Sequence, residues 1–276
     1  MCLIAWRWSP DSPVPLLWAA NRDEFAHRAT APLQRWGAHG HTVLSGLDLA
    51  LEHAQGGSPI KGTWAGIANN GKFAWLTNIR GTAHANPEAP SRGHFISRFL
   101  CGASRPADYL ARVHAQAHRY NGFNLVVGQL GAHAVCQHYN SATGSVTALK
   151  PGVYGLSNAD LDTPWPKTRT LVQALSLQAA AQHGASFHAQ PLFEVLANPQ
   201  RFGGDDLPNT GVAIEIEYLL SSAFIATTLR ASAYGTRSST VGWVHAGTAT
   251  VEERSFDAQG LCNNTVIETL SLNASR

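Results

Sequence analysis

Leu16-Leu17-Trp18-Ala19-Ala20-Asn21-Arg22-Asp23-Glu24-Phe25 carries an apolar segment straight into an amide, a guanidinium and two carboxylates. Leu16 to Asn21 has the composition of a buried strand. The period of two sends Asn21 and Asp23 one way and Arg22 and Glu24 the other. Upstream, Leu3 to Trp8 is a second strand, and the turn-rich Ser9-Pro10-Asp11-Ser12-Pro13 between them makes an antiparallel hairpin. Alone, four polar residues closing a strand describe a solvated turn. Their partner at the chain start, Met1-Cys2, gives them a second meaning.

Cys2 is small enough for Met1 to be removed, which places a thiol and a free α-amine on one residue. An α-amine with a pKa of about 8 can act as the base for its own thiol, the best side-chain nucleophile near neutral pH. A strand beginning there puts Cys2, Ile4 and Trp6 on one face. If Asn21 and Asp23 lie on the inward face, Asp23 orients the Cys2 amine and Arg22 belongs to a surface or rim ion pair. The plain alternative for Cys2 is a small buried hydrophobe.

Further along, Gly62 to Ala68 and Lys72 to Asn78 flank Asn69-Asn70-Gly71, a strong hairpin signal because Asn-Gly accepts positive φ. Residues 92 to 119 change to a helical period, with Phe95, Ile96, Phe99, Leu100, Tyr109, Leu110 and Val113 recurring at three- and four-residue steps and Pro106 at a helix start. Short strands return at 123–127, 134–139, 145–149 and 152–157, helices at 165–183 and 191–198, a loop at 199–211, and a hairpin at 239–244 and 248–256. Hairpins with segregated helices, rather than βαβ alternation, predict an α+β fold with two largely antiparallel sheets. A four-layer αββα sandwich fits. A break near residue 160 would leave both halves with unpaired strands, so residues 1–276 are expected to form one domain.

Composition narrows the function. The 276 residues are 44% hydrophobic and 14% charged with a formal charge of +2, which is sufficient for one substantial core and offers no basic stripe for nucleic acid. No apolar run of about 18 residues suggests an integral membrane segment, and no secretory signal pattern is visible, so the expectation is a cytoplasmic protein. The cysteines Cys2, Cys101, Cys136 and Cys262 form no C-x-x-C pair. His114 and His118 share a helix face without a third ligand, His39-Gly40-His41 reads as a Gly-rich loop, and Gly56-Gly57-Ser58 lacks the rest of a phosphate loop, so no metal or nucleotide site is assigned.

Several ordered matches point further: Met1-Cys2, Ala19 to Phe25, Leu44-Ser45-Gly46-Leu47-Asp48, Gly62-Thr63-Trp64, Leu76-Thr77-Asn78, Ser91-Arg92-Gly93, Tyr120 to Leu125, Tyr154 to Asn158, and Tyr234-Gly235-Thr236-Arg237. Together they resemble the NRDE family, that of the Transport and Golgi organisation protein two and its bacterial relatives. That family is similar to the N-terminal nucleophile hydrolases, choloylglycine hydrolases and penicillin V acylases among them. The resemblance implies Cys2 as nucleophile, Asp23 as the acid that orients its amine, Asn78 and Asn158 as oxyanion or amine contacts, and Arg237 as a cation near the thiol. Strand ends hold such amide donors rigidly toward developing charge.

One departure stands out. The acylases carry an Arg three residues before the Asp, and here that place is Ala20; the nearest Arg, Arg22, lies across the strand from Asp23 by alternation. The expected activity is hydrolysis of a nonpeptide amide or acyl bond in an apolar small molecule, with no cofactor required. Asn21, Arg22 and Trp64 are the expected ligand contacts, and the Trp residues either fill the space between sheets or wall a ligand pocket. The alternative is a non-catalytic haem or acyl-CoA and lipid carrier on the same fold.

Overall fold

The computed structural model describes residues 3–51, 61–81, 86, 88–181 and 187–273. The chain runs β1 (Leu3–Trp8), β2 (Leu16–Phe25), β3 (Thr30–Ala38), β4 (His41–Asp48), β5 (Ala65–Ala68), β6 (Lys72–Asn78), α1 (Gly93–Cys101) and α2 (Pro106–Gln116). It continues through β7 (Phe123–Gln129), β8 (Val135–Asn140), β9 (Ser145–Ala148), β10 (Gly152–Leu156), α3 (Pro166–Ala181), α4 (Gln190–Leu196) and α5 (Ile214–Leu219). β11 (Ala226–Leu229), β12 (Ser232–His245), β13 (Thr248–Phe256) and β14 (Cys262–Ser271) follow.

Two antiparallel sheets result. The first has the order β10-β1-β2-β12-β13-β14, with β11 also on β12, and the second is the meander β3-β4-β5-β6-β7-β8-β9. The pleat decides the layers. Ile4, Trp6, Trp8, Leu16, Trp18 and Ala20 of the first sheet meet Leu33, Leu44, Ile67, Phe73, Trp75 and Val126 of the second. The opposite parity, Leu3, Ala5, Leu17 and Ala19, packs on Leu171 and Leu175 of α3 and Leu192 and Phe193 of α4. Val43, Ala74, Leu76 and Val127 pack on Phe95 and Phe99 of α1 and Leu110 of α2. The layers are therefore αββα, as the segregation of hairpins and helices implied.

Most of the Trp residues do fill the inter-sheet space. Trp75 lies edge-on to Trp6 at 5.4 Å and stacked with Phe73 at 5.2 Å, and Trp18 is 6.2 Å away. Each such pair contributes about 0.5–1.5 kcal/mol beyond burial. No helix among the described residues is long and apolar enough to cross a membrane.

Several elements depart from the sequence pattern, α5 among them. His39-Gly40 is not an open loop: with φ of 54° and 79° it is the tight turn joining β3 to β4, where Ala38 pairs with His41. β11 and β12 are joined by Arg230 and Ala231, both at positive φ without a glycine, so no turn signal marked them. β14 is a mostly exposed edge strand whose polar residues gave no alternation. Gly56-Gly57-Ser58 lies outside the described residues.

Candidate functional site

β2 does not end at Asn21. β12 pairs with it as far as Tyr234 opposite Phe25, so Asn21-Arg22-Asp23-Glu24 is strand and not turn. In the β1–β2 hairpin Leu3 pairs with Asn21 and Ile4 with Ala20, which sends Asn21 and Asp23 toward the helices and Arg22 into the space between the sheets. Asn21 is fully buried. Its Nδ2 donates to the carbonyls of Leu196 and Ala223, each at 2.8 Å, and its Oδ1 accepts from the Ser239 hydroxyl at 2.6 Å. Asn21 thus ties the first sheet to the end of α4, away from the face that Arg22 occupies. Asp23 is buried on the same side and accepts from the Thr236 hydroxyl at 2.7 Å.

Arg22 is no surface or rim ion pair. It is 4% exposed, its Nη2 lies 3.7 Å from Asp48 Oδ2, and its guanidinium sits 4.4 Å from the centre of the Trp64 ring. A charge taken out of water needs such compensation, from an opposite charge and from the negative face of an aromatic ring. Asp48 also holds Arg28 at 2.8 Å. Trp64 in turn lies on Gly46, where an added Cβ would come within 2.4 Å of its ring, and the Thr63 hydroxyl donates to the Gly46 carbonyl at 2.7 Å. Leu44 to Asp48 and Gly62 to Trp64 thus act as one unit: the glycine admits the ring that supports the arginine.

Arg237 reaches the same place by a different device. Thr236 pairs with Asp23 and Ser238 with Arg22, so Arg237 is the extra residue of a β-bulge. A bulge re-aims its side chain. Arg22 and Arg237 line one cavity of about 240 Å³ together with Trp64, Ser238, Glu253 and Asn264. Arg237 Nε is buried without a hydrogen-bond partner among the described residues. Glu253 is 2% exposed, and burial raises its carboxyl to about 7. Hydrogen bonds from the Leu33 N–H at 2.7 Å and the Thr240 hydroxyl at 3.1 Å, and the Arg22 charge, limit that rise. Sequence reading passed over Glu253, although an inward parity shared with Ala249 and Val251 in an alternating strand was its signal.

Asn78 closes β6 and lines a second cavity, of about 190 Å³, with Arg22, Trp64, Asp48 and Arg92. Asn158 follows β10, and its Nδ2 donates to the Asn78 carbonyl at 2.9 Å. Arg80 sets that amide: its backbone N–H donates to the Asn158 carbonyl at 2.8 Å and its Nη2 to Asn158 Oδ1 at 3.3 Å. Arg80 is itself held by Glu217 and by the face of Trp165 at 5.1 Å. With Oδ1 committed to Arg80, the Asn158 NH₂ keeps one proton beyond its bond to Asn78. Arg80 was legible only as the residue two places after Asn78.

Arg22, Trp64 and Asn78 therefore share one cavity, and Arg22, Trp64 and Arg237 the other, with Asp23 beside Arg22 and Asn158 bonded to Asn78. Cys2 lies outside the described residues. Of the other thiols, Cys101 and Cys136 are buried, which raises both, Cys101 to about 11, while Cys262 is exposed.

The sequence is 37% identical over 272 residues to the Transport and Golgi organization protein 2 homolog of Bos taurus and 35% over 271 residues to that of Homo sapiens, covering 93% of both chains each time. The Drosophila melanogaster Transport and Golgi organization protein 2 is 27% identical over 222 residues, 75% of each chain. Among solved structures, a mutant conjugated bile acid hydrolase from Clostridium perfringens is similar over 99% of this chain and 93% of its own, at a TM-score of 0.46 and 9% identity. Anbu from Hyphomicrobium sp. is similar at a TM-score of 0.34 and 10% identity, over 99% of this chain and 89% of its own. The family pattern of Transport and Golgi organisation 2 matches residues 1–258, and with relatives this close along nearly the whole length, the chain belongs to the Transport and Golgi organisation 2 family.

Proposed function

We propose that this protein is an N-terminal cysteine hydrolase acting on a nonpeptide amide or acyl bond of an apolar small molecule. The observation that carries the reading is the convergence on Arg22 and Trp64 of cationic and amide side chains from β2, β6 and the β12 bulge. In the proposed reaction Cys2, freed of Met1, gives its thiol proton to its α-amine, and the thiolate attacks the acyl carbon. Asn78 and Asn158 donate N–H to the oxyanion, the amine leaves with the proton, and water then cleaves the thioester to the acid. Asp23 holds the α-amine. Arg22 supplies the cation: it shares its face with Ala20, the place of the acylase arginine, so the charge is displaced by two residues along one face rather than lost.

The carrier reading draws on the relatives' names, which speak of transport. One experiment separates the two. Native protein without a tag is checked by intact mass for loss of Met1, then given a panel of acyl amides including N-acyl homoserine lactones, penicillin V and bile conjugates. Multiple turnover that disappears in Cys2→Ala while binding persists supports the hydrolase. Saturable binding of haem or acyl-CoA with no turnover on the panel favours the carrier.

A further inference from the structure

The cavity bounded by β2, the β12 bulge, β13 and the start of β14 has an uneven charge. Two guanidiniums, Arg22 and Arg237, face it, and Glu253 is the one carboxyl among its described lining residues. Asp48 is already engaged by both Arg22 and Arg28 on the far side. No other ionisable side chain among the described residues lines this space: β3 contributes Thr30, Ala31 and Pro32, and β14 Asn263 and Asn264. Arg237 Nε has its buried N–H aimed at no acceptor among the described residues. At about 240 Å³ the space holds roughly eight waters' volume, enough for a carboxylate with a short stem.

From this geometry we infer an oxyanion subsite, in which Arg22 and Arg237 take a carboxylate of the bound molecule and Glu253 couples its binding to the uptake of a proton. The chemistry follows from the neighbours. An ionised Glu253 competes for the guanidiniums and repels an incoming anion, whereas a neutral one donates or withdraws and leaves a net positive cavity. Its hydrogen bonds from Leu33 and Thr240 hold the carboxyl in place in both states. With its ordinary range raised to about 7 by burial, the exchange falls at neutral pH. Affinity is therefore highest below neutrality and falls as pH rises. The inference deepens the proposed hydrolase site by naming a carboxylate-bearing ligand, yet the subsite stands without catalysis.

The test is calorimetric titration of the full chain with acetate, and with neutral acetamide as control, at about pH 6 and about pH 8.5. Both probes keep their charge across that interval. Acetate is expected to bind at least about tenfold more tightly at the lower pH, with acetamide not binding. Arg237→Gln should weaken acetate about tenfold or more, and Glu253→Gln should bind with one affinity at both pH values. Acetate binding is read without any turnover, which keeps this result separate from a failure to find an acyl-amide substrate. If Glu253→Gln does not fold, titration of wild type in two buffers of different ionisation enthalpy reads proton uptake directly. No saturable acetate binding, equal binding of acetamide, a pH slope that survives in Glu253→Gln, or zero proton uptake near neutrality each overturns the proposal.

Discussion

Arg22 brings a full positive charge between two sheets, and Asp48 and Trp64 compensate it there. Glu253, across the same cavity, is the one carboxyl among its described lining residues, and burial raises it to about 7. An acid raised from its ordinary 4.5 to about 7 binds a proton in the fold that the unfolded chain has released. Its contribution is complete below about pH 4.5, is lost as pH climbs to about 7, and is flat above. The loss is on the order of 3 kcal/mol. Glu253→Gln should therefore gain stability relative to wild type across that window, read as a widening difference in melting temperature; a constant difference would sink the assignment. His94 and His138, both lowered to about 4 by burial, act in the opposite direction between about 6.5 and 4, and they cancel in the comparison. Thiol chemistry gives a second test. Because Cys262 is exposed while Cys101 and Cys136 are buried, limited alkylation belongs in a Cys262→Ser background, where Cys2 should label first and Asp23→Asn should slow it without lowering the melting temperature much. Unfolding in step with the loss of labelling would make Asp23 a structural hydrogen-bonder.

At the level of elements, the site depends on two local irregularities in regular sheets. The β12 bulge turns Arg237 toward Arg22, and Gly46 of β4 leaves room for the Trp64 ring. Gly46→Ala puts a methyl 2.4 Å from that ring, so the indole must move and Arg22 loses its aromatic support. The expected cost is about 1–3 kcal/mol in denaturant unfolding. Combining it with Trp64→Phe should cost less than the sum, since the smaller ring relieves the clash. Additive costs would show that the two residues do not meet. Much of this level is readable from sequence: Asn69-Asn70-Gly71 and the Ala246-Gly247 turn announce hairpins, and the apolar steps of residues 92 to 119 announce α1 and α2. The β3–β4 hairpin was hidden because its turn uses His39 where Asn is usual.

The whole molecule is held by what lies between its sheets. Trp6, Trp8, Trp18, Phe73 and Trp75 form one aromatic layer contributed by strands as distant as β1 and β6. Trp75 touches most of this layer and is 1% exposed. Trp75→Ala is predicted to cost about 3–5 kcal/mol, measured by the shift of the urea midpoint at unchanged slope. A cost under about 1 kcal/mol would mean that the sheets are joined by their edges and not by this layer. The same sandwich brings β2, β6, β12 and β13 to one end, which is how Arg22, Asn78, Arg237 and Glu253 come to line adjoining cavities.

The sequence by itself determined the strands and helices whose period is local, the antiparallel α+β class, and, through ordered motifs, the family; Asp23, Asn78, Asn158 and Arg237 it put forward as site candidates. It also determined that Arg22 and Asp23 face opposite ways, because the pleat admits no other answer. It left open which way is inward. That depends on which face of β2 meets β5 and β6 and which meets α3 and α4, a matter of packing between segments far apart in the chain. Only the tertiary structure placed Arg22 between the sheets and Asn21 against α4, since burial on either face suits the same alternating strand. It alone showed the Arg237 bulge, a mismatch of register between β2 and β12 that neither strand carries within itself, and Glu253, whose acidity is altered above all by the water its neighbours exclude.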